Sequence, residues 1–194
     1  MKKAIFIFIF VFFVVATTYA KHKCLIPEAF GDIYIGMSTE EFEKKTGVEP
    51  SPCVECGKHE LQADIYLDDA FARRLGKKSI SLKNASITYQ TKSLMPRYMS
   101  CYFYKGHLYR IVMSDVVSTF ESVRRNYTVI LGKPQRVFRF DDQHMREVCW
   151  EDNMNSLCVV YSDNVVSKDF LEISYSDIVV QESMAGRNTS AGVN

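Results

Sequence analysis

The chain has 194 residues, of which 47% are hydrophobic, and its 24 basic and 23 acidic residues leave a formal net charge of +1. The length and the apolar content suit a globular domain with a buried core. The near-neutral balance argues against nucleic-acid binding, which needs a basic surface, and against electrostatic docking on anionic lipid.

The first 20 residues have the three-part pattern of a secretory signal peptide. Lys2 and Lys3 form a positive start, residues 4–16 are apolar, and small side chains lead up to Ala20. An uncleaved anchor is the alternative, but the apolar run is shorter than the roughly 20 residues that span a bilayer. We therefore predict cleavage after Ala20 and a periplasmic or secreted mature protein with no stable membrane insertion.

Residues 36–47, GMSTEEFEKKTG, predict a short helix whose two ends are both marked. Ser38 is a good N-cap, and Glu41 three residues later completes a capping box. Gly47 can adopt the left-handed conformation that ends a helix, and Pro50 blocks continuation.

Cys53 and Cys56 follow in a C-x-x-C motif that has three interpretations. Exported cysteines usually pair, so a structural disulfide is favoured. The alternatives are a redox-active thiol pair, although no strand-to-helix context is visible, and half of a metal site with His59. No second ligand pair follows at zinc-finger spacing, so no metal is predicted. Cys24 and Cys101 are left over as a third candidate disulfide.

Residues 67–76 suit a short helix, since they begin acidic and end basic, and residues 85–90 and 135–140 are strand candidates. Residues 100–113 predict a hairpin that turns at Lys105 and Gly106. Pairing about this turn sets Tyr104 opposite His107 and Tyr102 opposite Tyr109. These four side chains would share one face, and the other face would hold Cys101, Phe103, Leu108, Val112 and also Arg110.

The four side chains Tyr102, Tyr104, His107 and Tyr109 are the candidate partner-binding residues. Tyrosines combine apolar rings with polar tips and suit recognition surfaces. The alternative is that they only cover a half-buried sheet, since aromatic residues favour strands in any case.

A second helix is predicted from residue 118 to residue 131, with the same end signals as the first. Ser118 would cap it, Glu121 would close the capping box, and Gly132 would end it before Pro134. One apolar stripe would be buried, formed by Phe120, Val123, Tyr127, Ile130 and Leu131.

Residues 146–161 predict a second hairpin, turning near Asn153 and Met154. Pairing about the turn sets Cys149 opposite Cys158 at a non-hydrogen-bonded position, where Cα atoms approach to roughly 4.5 Å. That separation permits a cross-strand disulfide. The same register sends four apolar side chains to the core face: Val148, Trp150, Leu157 and Val159.

Residues 170–177 alternate as a half-buried strand, and residues 183–194 form an aperiodic, disordered tail. The order helix-then-strands thus occurs twice. We predict an α+β fold, with helices on one face of an antiparallel sheet. It would be one domain over residues 21–182, built from two tandem repeats at about 30–115 and 116–180.

The two helix starts carry a resemblance. GMSTEEFEKKTG resembles the beginning of the SmpA/OmlA outer-membrane assembly lipoproteins, and LGKP followed by Trp150 and alternating strands is similar to β-lactamase-inhibitor-like modules of exported bacterial proteins. The resemblance implies a binding scaffold that is usually non-enzymatic. The chain departs from the lipoproteins because Cys24 follows Lys21, His22 and Lys23 instead of a lipid-attachment signal.

No serine-hydrolase, zinc-protease or phosphate-loop motif occurs in the chain. We therefore expect an exported, soluble, non-enzymatic protein-interaction module that needs no cofactor and binds another envelope or secreted protein. The alternative is a periplasmic thiol–disulfide or metal-handling protein that uses Cys53, Cys56 and His59.

Overall fold

A computed structural model describes most of the chain that follows the predicted signal peptide. The described residues are 26, 29–54, 56, 59–82, 87–89, 92–94, 96–114, 116, 118–140, 144–163 and 170–190. The predicted signal peptide and Cys24 therefore lie outside the described residues. Among the residues described, no helix is long and apolar enough to cross a lipid bilayer.

The described residues form short helices and a larger number of strands. The helices are α1 (Thr39–Thr46), α2 (Asp69–Arg74), α3 (Phe120–Leu131) and α4 (Ile178–Ser190). The strands are β1 (Ala29–Phe30), β2 (Ile33–Tyr34), β3 (Ser51–Pro52), β4 (Glu60–Tyr66), β5 (Ile87–Tyr89), β6 (Lys92–Leu94), β7 (Tyr98–Tyr104), β8 (His107–Ser114), β9 (Arg136–Phe140), β10 (Met145–Glu151), β11 (Asn155–Ser162) and β12 (Phe170–Asp177).

Eight strands form one antiparallel sheet in the order β3-β4-β7-β8-β12-β11-β10-β9. From either edge toward the centre, the strands follow chain order, and β8 meets β12 in the middle. Along the chain, a helix precedes each set of four strands: α1 comes before β3 and α3 comes before β9. The α+β class is confirmed, with an antiparallel sheet as its main layer.

One face of this sheet carries the hydrophobic core. Alternation along the strands sends Met99, Cys101 and Phe103 of β7 to this face, and all three are fully buried. Helix α1 packs on it through Phe42, whose ring centroid lies 5.0 Å from that of Phe103. Helix α3 packs on the other half of the same face, where the rings of Tyr127 and Trp150 lie 5.6 Å apart.

Helix α2 makes its contacts on the opposite face. The ring of Phe71 stacks on Tyr98 at 5.9 Å and 11°, and it lies 6.3 Å from Tyr66. Both tyrosines neighbour fully buried core residues, Ile65 and Met99, so they point away from the core. The expected placement of every helix on one face is therefore not confirmed.

The cap of α1 agrees with its sequence, whereas that of α3 is shifted by one residue. The Ser38 hydroxyl accepts a bond from the Glu41 N–H at 3.2 Å. At α3 the cap is Thr119 instead of Ser118, because the Thr119 hydroxyl accepts the Ser122 N–H at 3.3 Å. The Glu121 carboxylate then lies 2.8 Å from the Arg124 guanidinium and closes no capping box.

Two further predictions about helices differ from the structure. The sequence predicts Ile130 on the buried stripe of α3, but its side chain is 60% exposed. Helix α4 continues to Ser190, through part of the segment expected to be disordered. The Asp177 carboxylate starts this helix by accepting the Val180 N–H at 3.0 Å.

Candidate functional site

The hairpin formed by β7 and β8 is the basis of the candidate site. It turns at Lys105 and Gly106, whose φ angles are 51° and 79°. Positive φ at both central residues suits a two-residue hairpin turn. Tyr104 pairs with His107, as the sequence predicted.

One residue farther from the turn, a β-bulge changes the pairing. Phe103 pairs with Leu108, but Tyr102 pairs with Arg110, so Tyr109 is the inserted residue. The predicted pair of Tyr102 with Tyr109 is therefore wrong. After the bulge, each side chain of β8 therefore points to the side of the sheet opposite to the one that the sequence predicts.

The reversal corrects two of the expected core positions. Ile111 and Met113 point into the core, where both are fully buried. Val112 is buried, as the sequence predicts, but it pairs with Ser100 on the opposite face. Arg110, which the unbulged register would have buried among apolar side chains, also points to that opposite face, where a charge costs less.

We call this opposite side of the eight-stranded sheet the second face. Two rows of side chains cross it in register. One row consists of Gln62, Tyr102, Arg110, Ser176, Ser156 and Glu151. The next consists of Asp64, Ser100, Val112, Ser174, Cys158, Cys149 and Arg136. Small residues therefore occupy the middle of the second face, and longer ones flank them.

Three of the four predicted partner-binding residues remain accessible. Tyr102 and Tyr104 are half-buried and His107 is exposed, with its Nδ1 3.3 Å from the Gly36 carbonyl. Tyr109 is only 7% exposed, and its hydroxyl donates to the Glu60 carboxylate at 2.8 Å. Burial and this hydrogen bond raise the pKa of Tyr109. Tyr109 thus braces β8 against β4 and is not available for contact.

Arg110 is the residue that the pattern of tyrosines did not reveal. Its guanidinium lies over the Tyr102 ring, 5.5 Å from the centroid. Its Nε is buried and has no hydrogen-bond partner within the part of the chain that the structure describes. Arg110 can therefore offer a cation and an unused donor to an incoming acceptor.

Glu172 of β12 is an acidic group that interacts electrostatically with Arg110. Burial raises the pKa of the Glu172 carboxyl, the Arg110 guanidinium offsets part of that rise, and the Glu147 carboxylate adds to it. A hydrogen bond from Ser114 also lowers the pKa. Burial dominates, so ionised Glu172 is less favourable in the folded protein than in the unfolded chain.

Replacing Glu172 with glutamine should stabilise the protein more at neutral pH than at acidic pH. The folded pKa is raised, so the stability contributed by Glu172 is fully present below the unfolded pKa and is lost as pH rises through the folded pKa. Urea unfolding of Glu172→Gln and the parent at pH 7 and at about pH 4 measures this difference. Glu43→Gln, on the exposed side of α1, is the matched control. A difference that is equal at both pH values, or larger at acidic pH, would contradict the assignment.

The hairpin formed by β10 and β11 has the predicted register and the predicted disulfide. Cys149 pairs with Cys158, and the structure joins them in a disulfide with Cα atoms 4.2 Å apart. The Asp152 N–H donates to the Asn155 carbonyl, so alternation makes the cysteine pair non-hydrogen-bonded. The Glu147 carboxylate lies 3.3 Å from the Cys149 sulfur. These three groups could hold a metal ion only if the disulfide were reduced.

Cys53 and Cys56 form the second disulfide, with Cα atoms 5.2 Å apart. The Cys53 N–H donates to the Glu60 carbonyl, so the disulfide holds the turn from β3 into β4. His59 is exposed in this turn, with φ of 78°. In the described part of the chain His59 joins no cluster of metal-ligating side chains.

The third predicted disulfide stays a prediction, because Cys24 lies outside the described residues. Cys101 is fully buried and bonds to no other described cysteine. Burial raises the pKa of the Cys101 thiol.

An open cleft of about 650 Å³ lies beside the Cys53–Cys56 disulfide. At one end of β4, Leu61 and Gln62 pair with β3, and at the other end Tyr66 pairs with Ser79. The cleft lies between these two pairings. The gap between them is lined by Pro52, Cys53, Gln62, Asp64, Lys77 and Lys78, among others.

No protein family, curated protein or solved structure matches this chain.

Proposed function

We propose that the protein is an exported, non-enzymatic interaction module that binds another envelope or secreted protein through the second face of its sheet. The observation that carries the proposal is Arg110, whose buried Nε lacks a hydrogen-bond partner among the described residues. It lies beside the half-buried Tyr102 ring. Buried donors are normally paired, and a missing acceptor is what a partner would supply.

The chemistry of the second face indicates what the partner presents. The middle of the face is polar, since Ser156, Ser174 and Ser176 lie there and are buried. Arg110 and Glu172 give it charges of both signs. We propose that the partner inserts a polar segment whose carbonyl or carboxylate oxygen accepts from Arg110 while an apolar group covers Tyr102.

We further propose that the sheet consists of two repeats, at about 30–115 and 116–180. Two units that each contribute a helix and four strands would give the observed order, with β8 and β12 as the inner strands. Both repeats would then supply the second face, Tyr102 and Arg110 from the first and the serines from the second.

Replacing Tyr102 with alanine and Arg110 with methionine should remove capture of the specific partner. We expect crosslinking of the purified protein in an envelope or secreted extract to lose that partner at least about tenfold, the effect of losing 1.4 kcal/mol of binding energy. The matched control is Tyr34→Ala with Lys45→Met, which removes another tyrosine–cation pair, 5.4 Å apart, beside α1. If the folded Tyr102/Arg110 variant retains its partner, this face does not carry the function.

The alternative function, thiol–disulfide or metal handling, has one favourable observation. Cys53 is half-buried beside an open cleft that also holds two exposed lysines, Lys77 and Lys78. Cationic neighbours lower the pKa of a thiol. Thiol titration and metal analysis of protein from an oxidising compartment distinguish the two functions. A reactive thiol or stoichiometric zinc favours the alternative, and an inert disulfide without metal favours the interaction module.

A further inference from the structure

The two edges of the eight-stranded sheet differ in how they are protected. Strand β3, at one edge, has two residues, one of them Pro52, and the Cys53–Cys56 disulfide follows it directly. A short edge strand with a proline resists pairing with other chains. Strand β9, at the other edge, has five residues, all exposed and none of them proline. In the described ranges, no strand pairs with its outer side.

Hydrogen-bond alternation identifies the backbone groups that β9 turns outward. The Asp152–Asn155 pair is hydrogen-bonded, so the even-numbered residues of β10 bond to β11 and the odd-numbered ones bond to β9. Cys149, Glu147 and Met145 pair with Arg136, Phe138 and Phe140. The N–H and C=O groups of Val137 and Arg139 therefore point away from the sheet.

The side chains of β9 make this edge attractive to another strand. Phe138 and Phe140 share the second face, with ring centroids 6.0 Å apart, and they are 41% and 38% exposed. The Arg136 guanidinium lies 5.9 Å from the Phe138 centroid. On the other side of the strand, Val137 is 65% exposed.

We propose that two copies of the chain associate by antiparallel pairing of β9 with β9, about a two-fold axis that passes through Phe138. This register sets Val137 of one copy opposite Arg139 of the second copy. Val137 and Arg139 are the residues whose backbone groups point outward. The two symmetric Val137–Arg139 pairs therefore exchange four N–H···O=C hydrogen bonds. Phe138 then faces its own counterpart at a non-hydrogen-bonded position, where side chains are closest.

The length of β9 favours this register over its neighbours. Centring the axis on Arg139 would leave Arg136 and Val137 without opposite residues in the strand. Centring it on Val137 would leave Phe140 without an opposite residue. Centring it on Phe138 sets Arg136 opposite Phe140, a cation next to a ring. The formal net charge of +1 adds little repulsion between copies.

The contact is short, and this determines its strength. One pair of five-residue strands buries less than the roughly 1,200 Å² of stable interfaces. The dimer is therefore reversible and becomes populated as protein concentration rises. It joins the second faces of the two copies side by side, and it needs neither Tyr102 nor Arg110, so it is independent of the proposed partner site.

Sedimentation equilibrium of the mature chain over a wide concentration range tests the dimer. The parent should shift from monomer to dimer, and Val137→Pro should stay monomeric. Proline at this position removes an outward N–H and no bond to β10, so the fold, followed by circular dichroism and Trp150 fluorescence, should be unchanged. Phe138→Glu should also be monomeric, whereas Val129→Glu, at an exposed position on α3, should dimerise like the parent.

Cysteine crosslinking tests the register. Phe138→Cys lies on the axis, where Cα atoms of the two copies approach to roughly 4.5 Å, and should form an interchain disulfide under mild oxidation. Val129→Cys is the exposed control and should crosslink much more slowly. A parent that is monomeric at every concentration, a dimer unaffected by Val137→Pro, or equal crosslinking of the two cysteine variants overturns the proposal.

Discussion

Replacing Trp150 with alanine is expected to lower the free energy of unfolding by about 3–5 kcal/mol, the usual cost of removing a large buried ring. The side chain is fully buried and packs against Tyr127. Its indole N–H donates to the Gly132 carbonyl at 2.8 Å, so it also fastens the end of α3 to β10. The variant removes a ring contact and a hydrogen bond together.

Urea unfolding followed by circular dichroism measures this change, because Trp150 is the only tryptophan and the variant has no tryptophan fluorescence. Trp150→Phe keeps an aromatic ring but leaves the carbonyl of Gly132 without its donor, so we expect a loss of about 2 kcal/mol. Val129→Ala, at an exposed position on α3, is the control. A loss below about 1 kcal/mol for Trp150→Ala would show that this part of the core is not tightly packed.

Replacing both Cys149 and Cys158 with alanine should cost about 3 kcal/mol, as expected for a disulfide that closes a loop of this length. The disulfide restricts the unfolded chain across the turn between β10 and β11, and the pairing of the strands remains without it. The Cys53/Cys56 double-alanine variant should lose less, about 2 kcal/mol, because its loop is shorter.

Equilibrium unfolding in urea under non-reducing conditions compares the two variants with the parent. The slope of the transition should increase when a disulfide is removed, since the unfolded chain then exposes more surface. An unchanged midpoint for the Cys149/Cys158 variant would mean that the parent carries free thiols in solution.

The elements that could be predicted from sequence are those specified by neighbouring residues. The β10–β11 register follows from one turn and from the alternation of Val148 and Trp150 with polar residues. Helix α1 follows from Ser38 and Gly47, whose cap geometry is observed. Hairpin pairing and helix ends are local, so a short stretch contains the information that determines them.

Other features depend on contacts between distant parts of the chain. Strand β4 was not predicted because Gln62 and Asp64 interrupt a weakly apolar run, yet its pairing with β7 gives it a place in the sheet. The bulge at Tyr109 was also missed, although one signal was present: a register that buries Arg110 among apolar residues is costly. One inserted residue removes that cost.

The candidate site was predicted in part for the same reason. The tyrosines of β7 were recognised as surface residues, because alternation along one hairpin is enough to place them. The burial of Tyr109 depends on Glu60, and the electrostatic effect of Arg110 on Glu172 depends on the pairing of β12 with β8. Neither interaction can be inferred from spacing along the chain.

The meeting of β8 and β12 at the centre of the sheet has a consequence for how the chain folds. Most other strand pairs of the sheet join segments that lie closer together in the sequence, and these can close early at low entropic cost. The β8–β12 pairs, such as Ile111 with Tyr175, join strands far apart in the sequence and raise the contact order. Each set of four strands can therefore acquire structure first, and we expect the docking of the two inner strands to be the slowest step of folding.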